Sequence, residues 1–250
     1  MERSFNGLFL FFVFWYICGF VLVGFNLLPS WLEWSNSVFI ITSGILAIFY
    51  FQLAYGVLKG LIISSSIFIS TFVVEYLGST TSFLFGDYFY TNQFAPNLLG
   101  VPLAIGFAWI MVIATGHTII QMLHIRSALL KSFVGGAAAL AMDLVLDPVA
   151  YVVKGYWIWE ESGNYYGIPW TNFFGWFLIA FLLHLLLAVI PERQIPTTVI
   201  QKMLAIYAGI VLLFGWIALL DGLYLVTCIS VGITLLCVFL AWVKRGVTYD

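Results

Sequence analysis

Charged residues are scarce in this chain of 250 residues, since lysine, arginine, aspartate and glutamate together make up only 8% of it. A soluble domain carries about 25% of such residues, because its surface must be covered with polar groups. Hydrophobic residues make up 63% of the chain. Uncharged apolar runs of roughly 20 residues, the length that crosses a hydrocarbon core of about 30 Å, recur along it. Short alternating segments typical of a β-barrel are absent. The sequence therefore predicts an all-α, polytopic transmembrane helical bundle.

Cysteine and histidine are also scarce, and their spacing argues against disulfide, zinc and di-iron sites. The cysteines all lie inside apolar runs and have neither a disulfide framework nor a zinc spacing: Cys18, Cys228 and Cys237. The histidines lack H-x-x-x-H or H-x-x-H-H spacing, which counts against a histidine-rich di-iron enzyme: His117, His124 and His184. The sequence has no glycine-rich phosphate loop, no nucleophile elbow and no basic patch. We expect no metal, no cofactor and no nucleic-acid partner.

Eight apolar runs predict eight membrane spans in one integral membrane domain over residues 1–250. The approximate spans are 7–28, 37–58, 60–78, 98–120, 132–150, 173–190, 203–220 and 223–243. The first run is too long for the apolar region of a signal peptide and lacks a cleavage site, so we expect it to be retained.

The basic residues support this count, because lysine and arginine accumulate in cytoplasmic loops. Eight spans place nearly all of them on the side of the termini: Arg3, Lys59, Arg126, Lys131, Arg193, Lys202, Lys244 and Arg245. Only Lys154 lies on the other side, whereas of the acidic residues only Glu2, Glu192 and Asp250 lie on the terminal side. We predict cytoplasmic termini, a multi-pass protein of the cell membrane, and external loops at 79–97 and 151–172.

Two aspartates lie four residues apart in the fifth span, in "MDLVLDP" (142–148). Asp143 and Asp147 share one helical face, because residues i and i+4 are neighbours on a helix. Pro148 should end or kink the helix close to its outer end. An unpaired carboxylate in an apolar medium takes up a proton, so such a pair can supply one proton donor and one acceptor. Alternatively, both side chains only bind neighbouring helices or cap backbone groups.

Other polar side chains can converge on this pair at the outer end of the bundle. Glu75 lies near the outer end of the third span and Asp87 lies in the loop after it. Asn97 and Asn172 lie at the start of the fourth and sixth spans. Glu75 and Asp87 could equally be solvated groups at the membrane interface. No basic residue is expected at the same depth, and Lys154 in the loop is the nearest.

Aromatic residues make up 19% of the chain and crowd the two outer loops. Those in or beside the loops are Tyr88, Phe89, Tyr90, Tyr156, Trp157, Trp159, Tyr165, Tyr166, Trp170 and Trp176. An aromatic belt at the membrane interface would account for such residues. The functional alternative is a lining for a long apolar ligand, in which the π faces could stabilise a carbocation.

Five stretches together resemble the CruF family of carotenoid biosynthesis proteins. They are "EYLG" (75–78), "FGDYFYT" (85–91), "PNLLGVPLAIGFAW" (96–109), "MDLVLDPVAYVVKGYWIWE" (142–160) and "YYGIPWTNFFGW" (165–176). The specific feature is the ordered combination of D-x-x-x-D-P, G-x-W-x-W and Y-x-G-I-P-x-x-N-F-x-G-W. The resemblance covers about residues 70–190, roughly half of the chain, and the last two spans add nothing to it. That family contains integral membrane carotenoid hydratases.

The resemblance implies addition of water to the terminal double bond of an acyclic carotenoid, which gives a tertiary alcohol without a redox cofactor or metal. The candidate catalytic residues are Asp143, Asp147 and Glu75, with one aspartate as the acid and the other as the base that orients water. The candidate substrate-binding residues are Asp87, Asn97, Trp157, Trp159, Tyr166, Trp170 and Asn172. The implied partners are the carotenoid, water and the lipid bilayer, and other enzymes of carotenoid biosynthesis are candidates.

Three other functions stay open at the level of the sequence. In a proton-coupled transporter the acid pair would bind protons or cations, although the paired repeats with broken helices that favour this function are not visible. A non-catalytic subunit could bind a carotenoid or another lipid. An isoprenoid cyclase uses the same alkene protonation but must exclude water.

Overall fold

The computed structural model describes the backbone of residues 1–245 and the side chains of residues 1–243. Within this part, eight helices are long and apolar enough to cross a membrane, which confirms an all-α, multi-pass bundle. The helices are α1 (Glu2–Leu22), α2 (Trp34–Tyr55), α3 (Val57–Thr81), α4 (Leu103–Met122), α5 (Ala128–Pro148), α6 (Trp170–Ala188), α7 (Thr197–Leu220) and α8 (Tyr224–Arg245). The charges that the sequence counts at Lys244, Arg245 and Asp250 lie outside the described side chains.

Four short strands interrupt the helical pattern: β1 (Tyr88–Tyr90), β2 (Asn97–Leu98), β3 (Val101–Pro102) and β4 (Trp157–Trp159). β2 and β3 form a hairpin whose turn residues, Leu99 and Gly100, both have positive φ, as tight two-residue hairpin turns require. The hairpin explains why α4 begins at Leu103 and not at residue 98. Pro102 directly precedes α4, a position where its missing N–H costs no helical hydrogen bond.

The central helix of the bundle is α4, which is the most buried of the eight and contacts α2, α3, α5 and α7. α5 packs along α6, where two glycines allow a close approach. A Cβ atom at Gly135 would overlap the ring of His184, and one at Gly136 would lie 2.9 Å from Phe177. Small residues at helix contacts are the usual means of close packing between membrane helices. The least buried helices, α1 and α8, lie at the periphery.

The α-helix α5 ends at Pro148, in agreement with the prediction from the sequence. The chain then continues as a wider π-helical turn over Val149–Val153, which the sequence did not predict. Such turns occur frequently at functional sites. The chain then leaves the bundle at Lys154 and reaches β4 three residues later.

β1 and β4 pair antiparallel and join the two long loops, with Tyr88 opposite Trp159 and Tyr90 opposite Trp157. Successive side chains of a strand point to opposite faces. The four aromatic side chains therefore face the bundle, while Phe89 and Ile158 are exposed. We call Tyr88, Tyr90, Trp157 and Trp159 the aromatic ladder. The end of the bundle that this ladder covers is called the ladder end.

Candidate active site

Three carboxylates, which we call the acid cluster, lie buried beneath the aromatic ladder: Glu75 of α3 and Asp143 and Asp147 of α5. Their exposed fractions are 4%, 2% and 1%. The amide Nδ2 of Asn172 donates to Asp143 Oδ2 at 2.9 Å and to Asp147 Oδ2 at 2.6 Å. Asn172 reaches both because it lies in the first turn of α6, which packs along α5. One amide thus bridges the two aspartates.

The second carboxylate oxygen of Asp147 accepts hydrogen bonds from the aromatic ladder. Trp157 Nε1 donates to Asp147 Oδ1 at 2.7 Å, and Trp159 Nε1 donates to the same oxygen at 3.4 Å. Both indoles reach it because residues two apart on a strand share a face. Asp147 therefore accepts three hydrogen bonds, whereas Asp143 accepts one, from Asn172.

Glu75 is also surrounded by donors. The hydroxyls of Tyr88 and Tyr90 each donate to Glu75 Oε2 at 2.7 Å, and Trp109 Nε1 donates to Oε1 at 2.8 Å. Burial, and next the negative charge of Glu75, hold the pKa of both tyrosines well above the ordinary value, so that both remain phenols able to donate. Three donors are the arrangement that a buried carboxylate requires in the absence of a cation.

A small cavity of about 30 Å³, which we call the polar pocket, lies between the acid cluster and the aromatic ladder. Its other walls are Asn172, Ile105 and Trp176. The volume exceeds the roughly 10–15 Å³ that a cavity needs to hold one water, and the walls supply the polar partners that a buried water needs. Trp176 is held in place by stacking on Trp109, with ring centroids 4.2 Å apart. The pocket can therefore hold a single ordered water beside the carboxylates.

A second cavity of about 340 Å³, which we call the apolar cavity, lies between α1, α2, α5 and α7. Its lining is almost entirely hydrocarbon and aromatic, but Asp143 contributes to its wall. The two cavities share Ile105, Asp143, Trp157 and Trp176. Asp147 and Glu75 line only the polar pocket. Asp143 is thus the carboxylate that meets both an apolar and a polar space.

The acid cluster has no salt-bridge partner among the side chains that the structure describes. Lys154 lines the apolar cavity and is the nearest basic residue in sequence. Over residues 1–245, no group of three or more histidine, cysteine, aspartate or glutamate side chains is placed to hold a metal ion.

The candidate residues from the sequence divide into two sets. Those that line the polar pocket are Glu75, Asp143, Asp147, Trp157, Trp159 and Asn172. The others lie elsewhere: Asp87 is half-buried at the edge of the ladder, and Tyr166 packs on Tyr165. Asn97 is exposed in the β2–β3 hairpin, and Trp170 is 60% exposed at the start of α6. These four do not line either cavity.

Sequence reasoning did not single out Trp109, and it placed Tyr88, Tyr90 and Trp176 only among the aromatic residues that could line a long apolar ligand. Tyr88 and Tyr90 are spaced two apart, as are Trp157 and Trp159, and two such pairs could have indicated two paired strands. Trp109 and Trp176 each end a stretch that carries the family resemblance. Their position in those stretches was the available signal for the polar pocket.

Comparisons with known proteins agree with the resemblance. A family model described as "Carotenoid biosynthesis protein" matches residues 35–239. The chain is 30% identical over 109 residues to the bisanhydrobacterioruberin hydratase of Haloarcula japonica. That match covers 42% of this chain and 36% of the relative, so the similarity spans about a third of the relative's length. No solved structure matches the chain.

Proposed function

Because the chain belongs to the carotenoid biosynthesis protein family, we propose that it is a hydratase that adds water to the terminal carbon–carbon double bond of an acyclic carotenoid. The similarity to a protein named as a hydratase supports a hydro-lyase over other enzymes of carotenoid biosynthesis. The observation that carries the proposal is the position of Asp143 in the wall between the apolar cavity and the polar pocket. Hydration of an alkene has to bring an apolar substrate and water to the same acid.

Asp143 is the proton donor in this mechanism. It accepts a single hydrogen bond and faces the apolar cavity, where the alkene would lie. Its carboxyl O–H gives the proton to the less substituted carbon of the double bond. The positive charge is left on the carbon that bears two methyl groups. General acid catalysis of this kind contributes about 10²–10⁴-fold to the rate.

Asp147 is the base that orients the water. Its three hydrogen bonds, from Asn172, Trp157 and Trp159, suit a carboxylate, and it lines the pocket that can hold a water. The water oxygen bonds to the cationic carbon and its proton passes to Asp147. The pair then holds the same number of protons as before, and transfer of one proton from Asp147 to Asp143 restores the starting state.

The remaining groups would stabilise the cation. Glu75 is a fixed carboxylate with three donors, and a preorganised charge in a dry site stabilises a developing positive charge without reorganisation. The rings of Trp157 and Trp176 line both cavities and would supply π electrons to a cation formed there. Addition of water leaves the oxidation balance unchanged, so the reaction requires no redox cofactor. The cell membrane is the proposed location, since eight helices among the described residues are long and apolar enough to cross a membrane.

The test is expression in a host that makes acyclic carotenoids, followed by mass analysis of the pigments. We expect a pigment that has gained one water. A new isomer of unchanged mass would indicate a cyclase, and unchanged pigment would leave binding or transport. Asp143→Asn and Asp147→Asn should each abolish the product while the protein still inserts. The matched control is Asp221→Asn, an exposed aspartate outside both cavities, which should keep the wild-type yield.

A further inference from the structure

The apolar cavity lies behind α1, the least buried helix of the bundle. Side-chain hydrogen bonds tie α1 to its neighbours: Trp15 Nε1 donates to Ser35 O at 3.2 Å, and Tyr16 Oη donates to Gly209 O at 2.9 Å. Just beyond the helix, Trp216 Nε1 donates to Gly24 O at 3.1 Å. α1 is therefore held against α2 and α7 along its edges, while the surface between them faces the cavity.

The cavity meets the surrounding lipid at α1. Phe14 lines the cavity and is also 61% exposed, so the cavity extends to a part of α1 that lies at the outer surface of the bundle. Cys18 and Gly19 continue the lining towards the ladder end, and across the cavity lie Asp143 and Leu146 of α5. The lining therefore runs from the outer surface of α1 to Asp143 on the far side of the cavity.

Gly19 is the smallest residue in the cavity lining contributed by α1. A Cβ atom built on it would meet no atom within 4 Å, so a larger side chain at this position of the lining would not collide with a neighbour at its Cβ. Gly7, on the same helix, is similarly unobstructed but does not line the cavity. A larger side chain at position 19 would therefore lie beside the cavity, whereas the same side chain at position 7 would lie away from it.

We infer that the apolar cavity binds the end segment of the substrate's polyene chain, admitted from the lipid past α1, with Gly19 setting the room available to it. This inference rests on the proposed function. The cavity volume of about 340 Å³ is near the lower end of known ligand pockets, about 300–1,000 Å³, so the end of a carotenoid fits inside. The rest of the molecule extends past α1 into the bilayer. A phospholipid acyl chain is the competing occupant, but it has no group that would use Asp143.

The first experiment compares Gly19→Phe with Gly7→Phe in the purified, detergent-solubilised protein. The phenyl ring at position 19 should displace the substrate from Asp143 and lower the rate of water addition about 100-fold, as misplacement by an ångström can do. Gly7→Phe should keep the wild-type rate. If wild type adds water and Gly19→Phe does so equally fast, the assignment of the cavity is wrong while the hydratase function stands.

A second measurement tests the inference even if Gly19→Phe fails to fold. It also applies if the protein adds no water, because it detects binding and not turnover. Cys18 lines the cavity, so its alkylation by N-ethylmaleimide can be followed in a Cys228→Ser, Cys237→Ser background. An acyclic carotenoid should slow this alkylation, and a saturated straight-chain hydrocarbon at the same concentration should not. Equal rates with and without carotenoid would overturn the inference. Protection in a protein that does not hydrate would keep the binding site and refute the hydratase.

Discussion

Asp143 and Asp147 are equivalent by sequence spacing but not by their surroundings. Asp147 accepts three hydrogen bonds and faces the polar pocket alone, whereas Asp143 accepts one and borders both cavities. The sequence left their roles interchangeable because it contains no information on which side each carboxylate faces. The proposed assignment of acid and base depends on that difference.

The two indoles of the aromatic ladder give a matched test of how Asp147 is held. Trp157→Phe removes a donor at 2.7 Å and should lower the rate of water addition by about 10–100-fold, since a hydrogen bond to a charged group is worth about 1.5–3 kcal/mol. Trp159→Phe removes a donor at 3.4 Å and should have a clearly smaller effect. Steady-state rates of both variants decide this. Equal losses would mean that these tryptophans act through packing and not through their N–H groups.

The site residues that could be predicted are those fixed by local spacing. The i, i+4 aspartates, Asn172 at a helix start and the W-x-W pair all follow from short-range patterns, and all line the polar pocket. Asn97 was expected beside them because the fourth span was predicted to begin at residue 98. The β2–β3 hairpin carries it to the surface instead. Pairing between β1 and β4 joins residues about 70 positions apart, which no local pattern could specify.

The contact between α4, α5 and α6 depends on two glycines. Gly116 and Gly135 both face the ring of His184, whose Nδ1 bonds the carbonyl of Ala180 at 2.7 Å and fixes the ring in place. The partner of these glycines on α6 could not be identified from the sequence. That partner is His184, whose ring is held by a backbone carbonyl of the same helix.

Gly135→Ala should destabilise the protein by about 1–3 kcal/mol, the usual effect of overpacking, because the new methyl group overlaps His184. Gly232→Ala on α8 is the control, since a Cβ there meets nothing within 4 Å. It should be neutral or slightly stabilising, because alanine is a better helix former than glycine. The measurement is the midpoint of thermal unfolding in detergent. Unchanged stability of Gly135→Ala would show that α5 and α6 are less tightly packed.

A second contact between elements lies at the end of the bundle opposite the ladder. Glu192, between α6 and α7, accepts hydrogen bonds from Gln121 at 2.5 Å and Lys131 at 3.4 Å, and its Oε2 lies 3.2 Å from His117 Nε2. His117 is held in turn by the hydroxyls of Tyr50 and Tyr55. The hydrogen bond with His117, more than any other contact, lowers the pKa of Glu192 from 4.5 to about 2. This group joins α2, α4, α5 and the loop before α7.

Because the folded-state pKa of Glu192 is lowered, its contribution to stability is complete above pH 4.5 and is lost as the pH falls towards about 2. Wild type should therefore unfold at a higher temperature than Glu192→Gln near neutral pH. The difference should shrink progressively between pH 4.5 and about 2. Thermal unfolding of both proteins across this range is the measurement. A difference in unfolding temperature that does not change with pH would mean that Glu192 stabilises the protein through packing and not through its charge.

For the whole molecule, hydropathy was sufficient to predict eight spans, because each span must satisfy its own backbone hydrogen bonds within a helix. Contacts agree with the predicted grouping of the helix ends: Lys202 Nζ donates to Asn6 Oδ1 at 2.5 Å, and Arg193 N donates to Ala54 O at 2.7 Å. Which end faces the cytoplasm stays a prediction from the basic residues.

Cysteine labelling of intact cells with a membrane-impermeant maleimide tests the orientation. Glu161→Cys, at the ladder end, should be labelled, and Arg126→Cys, at the opposite end, should be protected; both positions are exposed. The variants should be made in a background without Cys18, Cys228 and Cys237. Labelling of Arg126→Cys alone would reverse the predicted topology and place the ladder end in the cytoplasm.

In the proposed mechanism, Asp143 protonates an alkene and solvent water then captures the cation. The most direct measurement supplies the purified protein with an acyclic carotenoid in water labelled with heavy oxygen, without dioxygen, and determines the mass of the product. Wild type should form an alcohol that carries the heavy oxygen, and Asp143→Asn should form none. An unlabelled alcohol, or full activity in Asp143→Asn, would contradict this mechanism.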